Sequence, residues 1–365
     1  MINIFEPKKQ YISNKKLILQ SINRVLESGN YVLGPQVKKL EESFAKYCGV
    51  RYAIGVKNGT DALILALKSL NIKKGDEVIT TSHTALATIA AIVSTGAKPV
   101  IVDIEDTYYT IDPEKFKSAI NFKTKAIIPV HIYGQVCDIK KITLLAKKNK
   151  IKIIEDCSQA LGAEFNKRKV GTFGDIGTFS FYPTKIVGAI GDGGIIVTNN
   201  KSVANKLFKL RQYGWNEKRE TKFPGYNSRL DELQAAIINV KMKKVDEDNQ
   251  KRAKIASIYK KKITNQNFVL PAIRKNTKHV FHLFTILTKK RKLLIKYLKK
   301  NKVTPGIHYA KPACLNNGYS ELCKFQLKDI KKTIKISRET LSLPIYPELK
   351  KYDINKVIKL LNRFK

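Results

Sequence analysis

Between Tyr52 and Asp156 short apolar runs alternate with helix-like stretches. This alternation restricts the possible folds more than any other feature of the chain. Tyr52–Val56, Glu77–Thr81, Pro99–Asp103, Ala126–Val130 and Ile151–Asp156 are rich in valine and isoleucine, while Thr84–Val93 and about Ile139–Lys148 carry helical periodicity. Repetition of this kind predicts an α/β fold with a mostly parallel sheet and helices on both faces. Ligands of such sheets bind outside the carboxyl ends of the strands. His83, Asp103, His131 and Asp156 fall near those ends. Taken singly, each is more often a cap or loop residue than a catalyst.

A second stretch lies downstream. The run Thr178-Phe179-Ser180-Phe181-Tyr182 ends in the turn Pro183-Thr184, and Lys185 follows at once, ahead of the glycine-dense Gly188–Gly194. Proline suits the turn and not a strand interior. Lys185 is the only charge between Ile176 and Ile190 in a chain crowded with lysines. A lysine among apolar neighbours loses its proton more readily and can act as a nucleophile or base. The bland alternative is a buried stem that snorkels to water.

Two further segments carry potential chemistry. After Tyr52–Val56 comes Lys57-Asn58-Gly59-Thr60-Asp61 and then an apolar helix. Backbone N–H groups and the Thr60 hydroxyl at the positive end of a helix can cradle a phosphate. The same residues can equally form a plain N-cap. Asp156 closes an apolar strand before Cys157-Ser158-Gln159. A buried acid needs a cationic or hydrogen-bonding partner, and a protonated pyridine nitrogen qualifies. An N-cap is the alternative here too.

The chain of 365 residues exceeds the usual size of one core. We expect a large α/β unit over residues 1–250 with an N-terminal helical segment. A long helix from about Tyr226 to Tyr259 would lead into a smaller α+β unit over 251–365. Residues 15–47 read as helix, turn, helix. Phe281–Leu287 is strand-like, and helices are expected near Lys292–Lys300 and Ile354–Leu361.

The net charge of +39 favours acidic partners. The lysines are spread along the chain, however, and no base-reading module accompanies them, so nucleic-acid binding is not expected. The excess can still draw in an anionic substrate. No apolar run reaches the ~20 residues that span a bilayer, and the start lacks a signal-peptide layout. A cytoplasmic protein without membrane association is expected. The cysteines Cys48, Cys137, Cys157, Cys314 and Cys323 form no CxxC pair and read as reduced thiols, not a metal site.

Four segments in order carry a resemblance. They are Gly59–Leu63, Glu155–Ala160, Ser180–Lys185 with Gly191–Gly194, and Gly225–Ala236. Together they resemble the DegT/DnrJ/EryC1/StrS family of sugar aminotransferases, pyridoxal-phosphate enzymes of the aspartate-aminotransferase fold. The likeness runs from about Tyr31 to the C-terminus and includes Gly306-Ile307-His308-Tyr309.

The resemblance implies a role for each matching residue. Lys185 would carry pyridoxal 5'-phosphate as an internal Schiff base and shuttle a proton. Asp156 would keep the pyridine nitrogen protonated. Gly59, Thr60 and Ser180 would hold the phosphate, and Gln159 would contact the ring hydroxyl. His83 would stack on the cofactor. Asn227 would reach the neighbouring subunit's cofactor phosphate in a homodimer, and His308 and Tyr309 would lie on the substrate side. Glutamate would donate the amine to a nucleotide-linked ketosugar, dTDP- or UDP-linked, for surface polysaccharide or lipopolysaccharide. Ser82–Thr88 looks like members acting at sugar carbon 3.

The chain departs from the family pattern at Asn58, Leu161, Ala310 and Cys314. These positions bear on substrate detail and not on cofactor binding. A sugar dehydratase of the same fold would carry histidine in place of Lys185. A non-catalytic protein of this fold is the other alternative.

Overall fold

In the computed structural model, which describes residues 1–365, the chain opens with helices α1 (Pro7–Ser28) and α2 (Pro35–Cys48). Strands β1 (Tyr52–Val56), β2 (Glu77–Thr81), β3 (Lys98–Val102), β4 (Thr124–Ile128) and β5 (Lys152–Asp156) follow. Between them run α3 (Gly59–Ser69), α4 (Leu86–Ser94), α5 (Pro113–Ala119) and α6 (Ile139–Lys148). A hairpin of β6 (Glu164–Phe165) and β7 (Arg168–Lys169) leads to β8 (Ile176–Ser180) and β9 (Gly194–Thr198). Helices α7 (Lys201–Leu210), α8 (Glu232–Met242) and α9 (Val245–Lys262) come next. The remainder holds β10 (Thr277–Lys278), β11 (Phe284–Leu287), α10 (Arg291–Lys300), α11 (Lys331–Glu339), β12 (Thr340–Leu343) and α12 (Lys351–Arg363).

The central sheet has the order β1-β9-β8-β5-β4-β2-β3. Only β9 runs against its neighbours, and the pairs among β8, β5, β4, β2 and β3 are parallel. Helices cover both faces, so the strands are apolar on both sides instead of alternating with polar residues. Along β9, Ile195 and Val197 enter the core with Phe44, Phe179 and Leu230, while Ile196 enters the opposite core with Ile54, Leu63 and Ile154. That is the two-residue side-chain period of a strand. A third core gathers Tyr259, Phe284, Leu341 and Leu361, together with Ile2 from the other end of the chain.

The expected long helix is two helices. α8 ends at Met242 and α9 begins at Val245, with Lys244 at φ −113° and ψ 5° between them. Asp246, Glu247 and Asp248 then fill the first turn of α9. Acids there complement the positive end of a new helix, so the charge pattern favours a restart over continuation. Phe281, expected to open a strand, stands at φ 47° outside it, and β11 starts only at Phe284. Asp103 stands past the end of β3 and caps α11, accepting from the Lys332 and Thr333 amides at 2.9 Å each. Its position at a strand end is therefore structural.

Glu232, the first residue of α8, ties α2 to that helix. Its buried carboxylate accepts the Gln36 and Val37 amides at 2.7 Å, capping α2 across nearly two hundred residues of sequence. Loss of a cap and of two charge-assisted bonds predicts that Glu232→Ala destabilises the fold by about 2 kcal/mol or more. A urea midpoint equal to that of the parent protein would contradict this.

Candidate functional site

The carboxyl ends of the parallel strands open on one cavity of about 320 Å³ between β1, β5 and β8. Asn58, Gly59, Thr60, Asp156, Gln159, Ser180 and Lys185 line it, with Thr84, Ser158, Tyr182 and Asp192. Six of the expected cofactor-binding residues, Gly59, Thr60, Asp156, Gln159, Ser180 and Lys185, thus share one space. A groove of about 530 Å³ along β3 is lined by Asp103 and by none of these six.

One end of the cavity is built to receive an anion. Asn58 caps α3 through a 2.8 Å bond to the Asp61 amide, which leaves Gly59 and Thr60 as the first residues of the helix. Their amides belong to the unpaired positive end. Gly59 is required by close approach, since a Cβ there would stand 2.7 Å from Ser180 Cβ. A larger residue would push the helix start away from β8.

The other end holds Asp156, buried at the end of β5. Its oxygens accept from the Thr88 hydroxyl at 3.1 Å and from the Ser158 amide at 3.1 Å. Both donors are neutral, so the carboxylate still has negative charge to offer a cation. Lys185 lines the same cavity. Burial pushes its amine below the ordinary lysine range, and the Asp156 carboxylate pulls against that shift.

The turn bearing Lys185 is held from several sides. The Lys185 amide donates to the Tyr182 carbonyl at 2.8 Å, and Ala189 donates to Phe181 at 2.7 Å. Lys241 of α8 donates to the Gly188 carbonyl, and burial pushes the Lys241 amine down to about 8. Gly188 packs so tightly that a Cβ would meet the Pro183 carbonyl oxygen at 2.4 Å.

The remaining expected residues lie farther out, and Gln159 on the cavity wall links one of them to it. Gln159 is engaged twice, accepting from the Tyr133 amide at 2.8 Å and donating to the Tyr309 hydroxyl at 2.9 Å. Tyr309 therefore reaches the site through Gln159. His83 is fully buried and is not part of the cavity wall. Its Nε2 meets the Tyr133 hydroxyl at 2.8 Å. That hydroxyl has one proton, which it donates to the His308 carbonyl. His83 must then donate from Nε2, leaving Nδ1 without a partner. Burial keeps this ring neutral by lowering it to about 4.

His308 turns its own ring to Ser342, with Nδ1 3.0 Å from the hydroxyl. Asn227 is exposed on a loop outside the cavity, next to Ser228, whose hydroxyl is anchored 2.7 Å from the Asp61 carboxylate. His131 faces away from the site. Its Nδ1 accepts the Cys137 amide at 3.1 Å, so the proton on Nε2 is the one directed at Glu155, 3.1 Å away. Glu155 also accepts from the amides of Gly171, Phe173 and Gly174. The His131–Glu155–Cys157 cluster is accounted for by these bonds.

Thr88 and Tyr133 are the contributors that sequence inspection missed. Thr88 sits one helical turn after Thr84, with the two hydroxyls 2.9 Å apart, on the face of α4 that meets Asp156. Tyr133 lies after β4, ahead of Gly134, at φ 61°. Its place beyond a strand end was the available signal. The segment at Ala313-Cys314 was equally hidden. Its amides donate to Ser82 at 2.9 Å, which brings the departing Cys314 beside the His83 loop.

Four histidines are held neutral by burial. His83 and His308 are lowered to about 4, His279 to about 3, and His282 well below its usual value. The unfolded chain takes up these protons near pH 6.5, whereas the folded chain resists until about pH 4. Stability is therefore expected to be full above about pH 6.5 and to fall steadily as pH drops toward 4. Urea midpoints that stay level between pH 7 and pH 5 would refute the assignment.

Several known proteins are similar to this chain. The dTDP-3-amino-3,6-dideoxy-alpha-D-galactopyranose transaminase of Aneurinibacillus thermoaerophilus is 44% identical over 364 residues, covering 100% of this chain and 99% of the relative. The UDP-N-acetyl-3-dehydro-alpha-D-glucosamine 3-aminotransferase of Acidithiobacillus ferrooxidans is 37% identical, covering 95% and 93%. The solved structure of DesV from S. venezuelae, in complex with a ketimine intermediate, matches with a TM-score of 0.96 at 36% identity over 99% of this chain and 97% of that one. A family model matches residues 13–362, and the chain belongs to the DegT/DnrJ/EryC1/StrS aminotransferase family.

Proposed function

We propose that this chain is a pyridoxal 5'-phosphate-dependent aminotransferase. It moves an amino group from glutamate to carbon 3 of a nucleotide-linked ketosugar, in a route to amino sugars of surface polysaccharide. The observation that carries this is one cavity lined together by a helix N-terminus, a buried carboxylate and a depressed lysine. The donor set fits the cofactor at both ends. A phosphate suits Gly59, Thr60 and the Ser180 hydroxyl, and a positively charged ring nitrogen supplies the cation that Asp156 lacks.

When bound, pyridoxal phosphate provides an electron sink for the carbon that loses or gains a proton. Lys185 would hold the cofactor through Nζ, and its amine would take and return that proton, a task its depressed basicity suits. Asp156, oriented by Thr88, would keep the ring nitrogen charged. Gln159 would contact the ring hydroxyl. His83, buried behind the cavity wall, would stay neutral there. His308 and Tyr309 lie on the sugar side.

Asn227 extends from an exposed loop and would reach the partner's phosphate in a homodimer. We assign the cofactor-binding unit to residues 1–250 and the smaller unit to 251–365, in a cytoplasmic enzyme. No helix is long and apolar enough to cross a membrane.

Carbon 3 is favoured by the two relatives above, one named for a 3-amino sugar and the other as a 3-aminotransferase. Their nucleotides differ, dTDP in one and UDP in the other. A sugar dehydratase is disfavoured because Lys185 is retained.

The test is the absorption spectrum of the purified protein with added pyridoxal phosphate, before and after borohydride. We expect a visible band that borohydride converts to a stable adduct at Lys185. Lys185→Ala should show no adduct and lose at least about a thousandfold in turnover. Asp156→Asn should bind the cofactor and lose about a hundredfold or more. Absence of any band in the parent protein sinks the proposal, and amination at carbon 4 sinks the regiochemical part.

A further inference from the structure

The first six residues form a strap across the outer side of the Lys185 site. Ile2 pairs with the loop after α10, its amide donating to Lys302 at 2.9 Å and its carbonyl accepting from Thr304 at 2.8 Å. Ile4 presses on Gly306, where a Cβ would stand 2.6 Å from Ile4 Cδ1. Pro7 then starts α1, and the Asn3 amide bonds the Glu6 carboxylate at 2.6 Å. Anchored at both ends, the strap delivers the half-buried Phe5 to one place.

Phe5 meets two histidines there. Its ring lies 6.2 Å from His282 in a stacked orientation and 5.9 Å from His308 edge-on. It also shares a narrow crevice, about 20 Å³, with Pro183, Lys185 and Arg252. On its other sides His308 has Ser342 of β12 at 3.0 Å and the Tyr309 ring edge-on at 6.0 Å. The Tyr133 hydroxyl holds its carbonyl. The charged or titratable groups facing the imidazole are thus Lys185, His282, Tyr309 and Tyr133. Phe5 is the apolar member of that shell and the one that comes from outside it.

We propose that Phe5 is a positioning residue, which holds the His308 ring against the outer side of the Lys185 site and keeps water from it. An imidazole kept dry beside an amine stays uncharged, and burial together with the Lys185 charge lowers His308 to about 4. A neutral ring can give or take a hydrogen bond with a sugar hydroxyl. It also adds no positive charge that would repel the Lys185 amine.

The inference rests on the transaminase proposal only for what the ring serves, so its test is made first without cofactor. The chain has five histidines. Ring carbon signals in histidine-labelled protein can therefore be followed by NMR, with His308→Gln to assign its peak. We expect His308 to remain neutral in the parent protein down to about pH 4. In Phe5→Ala, water reaches the ring, and its titration moves up toward about 6.5. Phe5→Val, a milder cut that serves if alanine prevents folding, should move it part of the way.

A thermal melt confirms that each variant is folded. An unmoved His308 titration in a folded variant overturns the inference. In the cofactor-loaded enzyme, Phe5→Ala should raise KM for the ketosugar about tenfold, a loss of about 1.4 kcal/mol. The half-reaction with glutamate should keep its rate. Equal losses in both half-reactions would reduce Phe5 to a merely structural residue. A parent protein that binds no pyridoxal phosphate would overturn the functional proposal and leave the titration result standing.

Discussion

The Asp156 carboxylate receives a hydroxyl from Thr88 and an amide from Ser158, and no cationic side chain completes it. A buried charge in that condition is costly unless a cation arrives. Much of the nearby structure works to keep it in place. β5 carries it to the end of a parallel strand, and α4 brings Thr88 to it. Behind it, Glu155 turns the opposite way and secures the Gly171–Gly174 loop together with His131. Two adjacent acids on one strand point to opposite faces, so one serves the cavity and the other the frame.

Lys185 depends on a different kind of support. Its turn is built from backbone bonds and close glycine contacts, with Lys241 clamping the Gly188 carbonyl from α8. The amine is thereby kept in low-polarity surroundings, while Asp156 limits how far it falls. The two effects oppose each other, which suits a group that must be both nucleophile and proton carrier. Around them the histidines are neutral by burial, so positive charge in the site is concentrated on few groups.

Beyond the cavity the network is relayed through Tyr133. Its amide orients Gln159, its hydroxyl fixes the His83 tautomer and holds the His308 carbonyl. Gln159 in turn holds Tyr309. Segments far apart in the chain are thus joined through the backbone and side chain of one residue, and the strap carrying Phe5 closes the outer edge. Tyr133 and Gln159 are each held by more than one partner, which fixes their places in the network.

The sequence by itself determined the parallel core, because uninterrupted valine and isoleucine runs suit strands covered on both faces. It also marked Gly59, Thr60, Asp156 and Lys185 as candidates, through a cap, an acid closing an apolar run and a lysine after a proline turn, while Ser180 and Gln159 entered through the family resemblance. Only the tertiary structure decided which polar residues meet. Asp103 and His131 stand at strand ends as Asp156 does, yet they serve α11 and Glu155. Thr88, Tyr133, Glu232 and Phe5 gained their places through long-range packing. The break between α8 and α9 also escaped the pattern, since helical periodicity runs through Lys243-Lys244 and only the start of a new first turn ends it. Periodicity reports which face is apolar, and it carries no information on which distant group that face will touch.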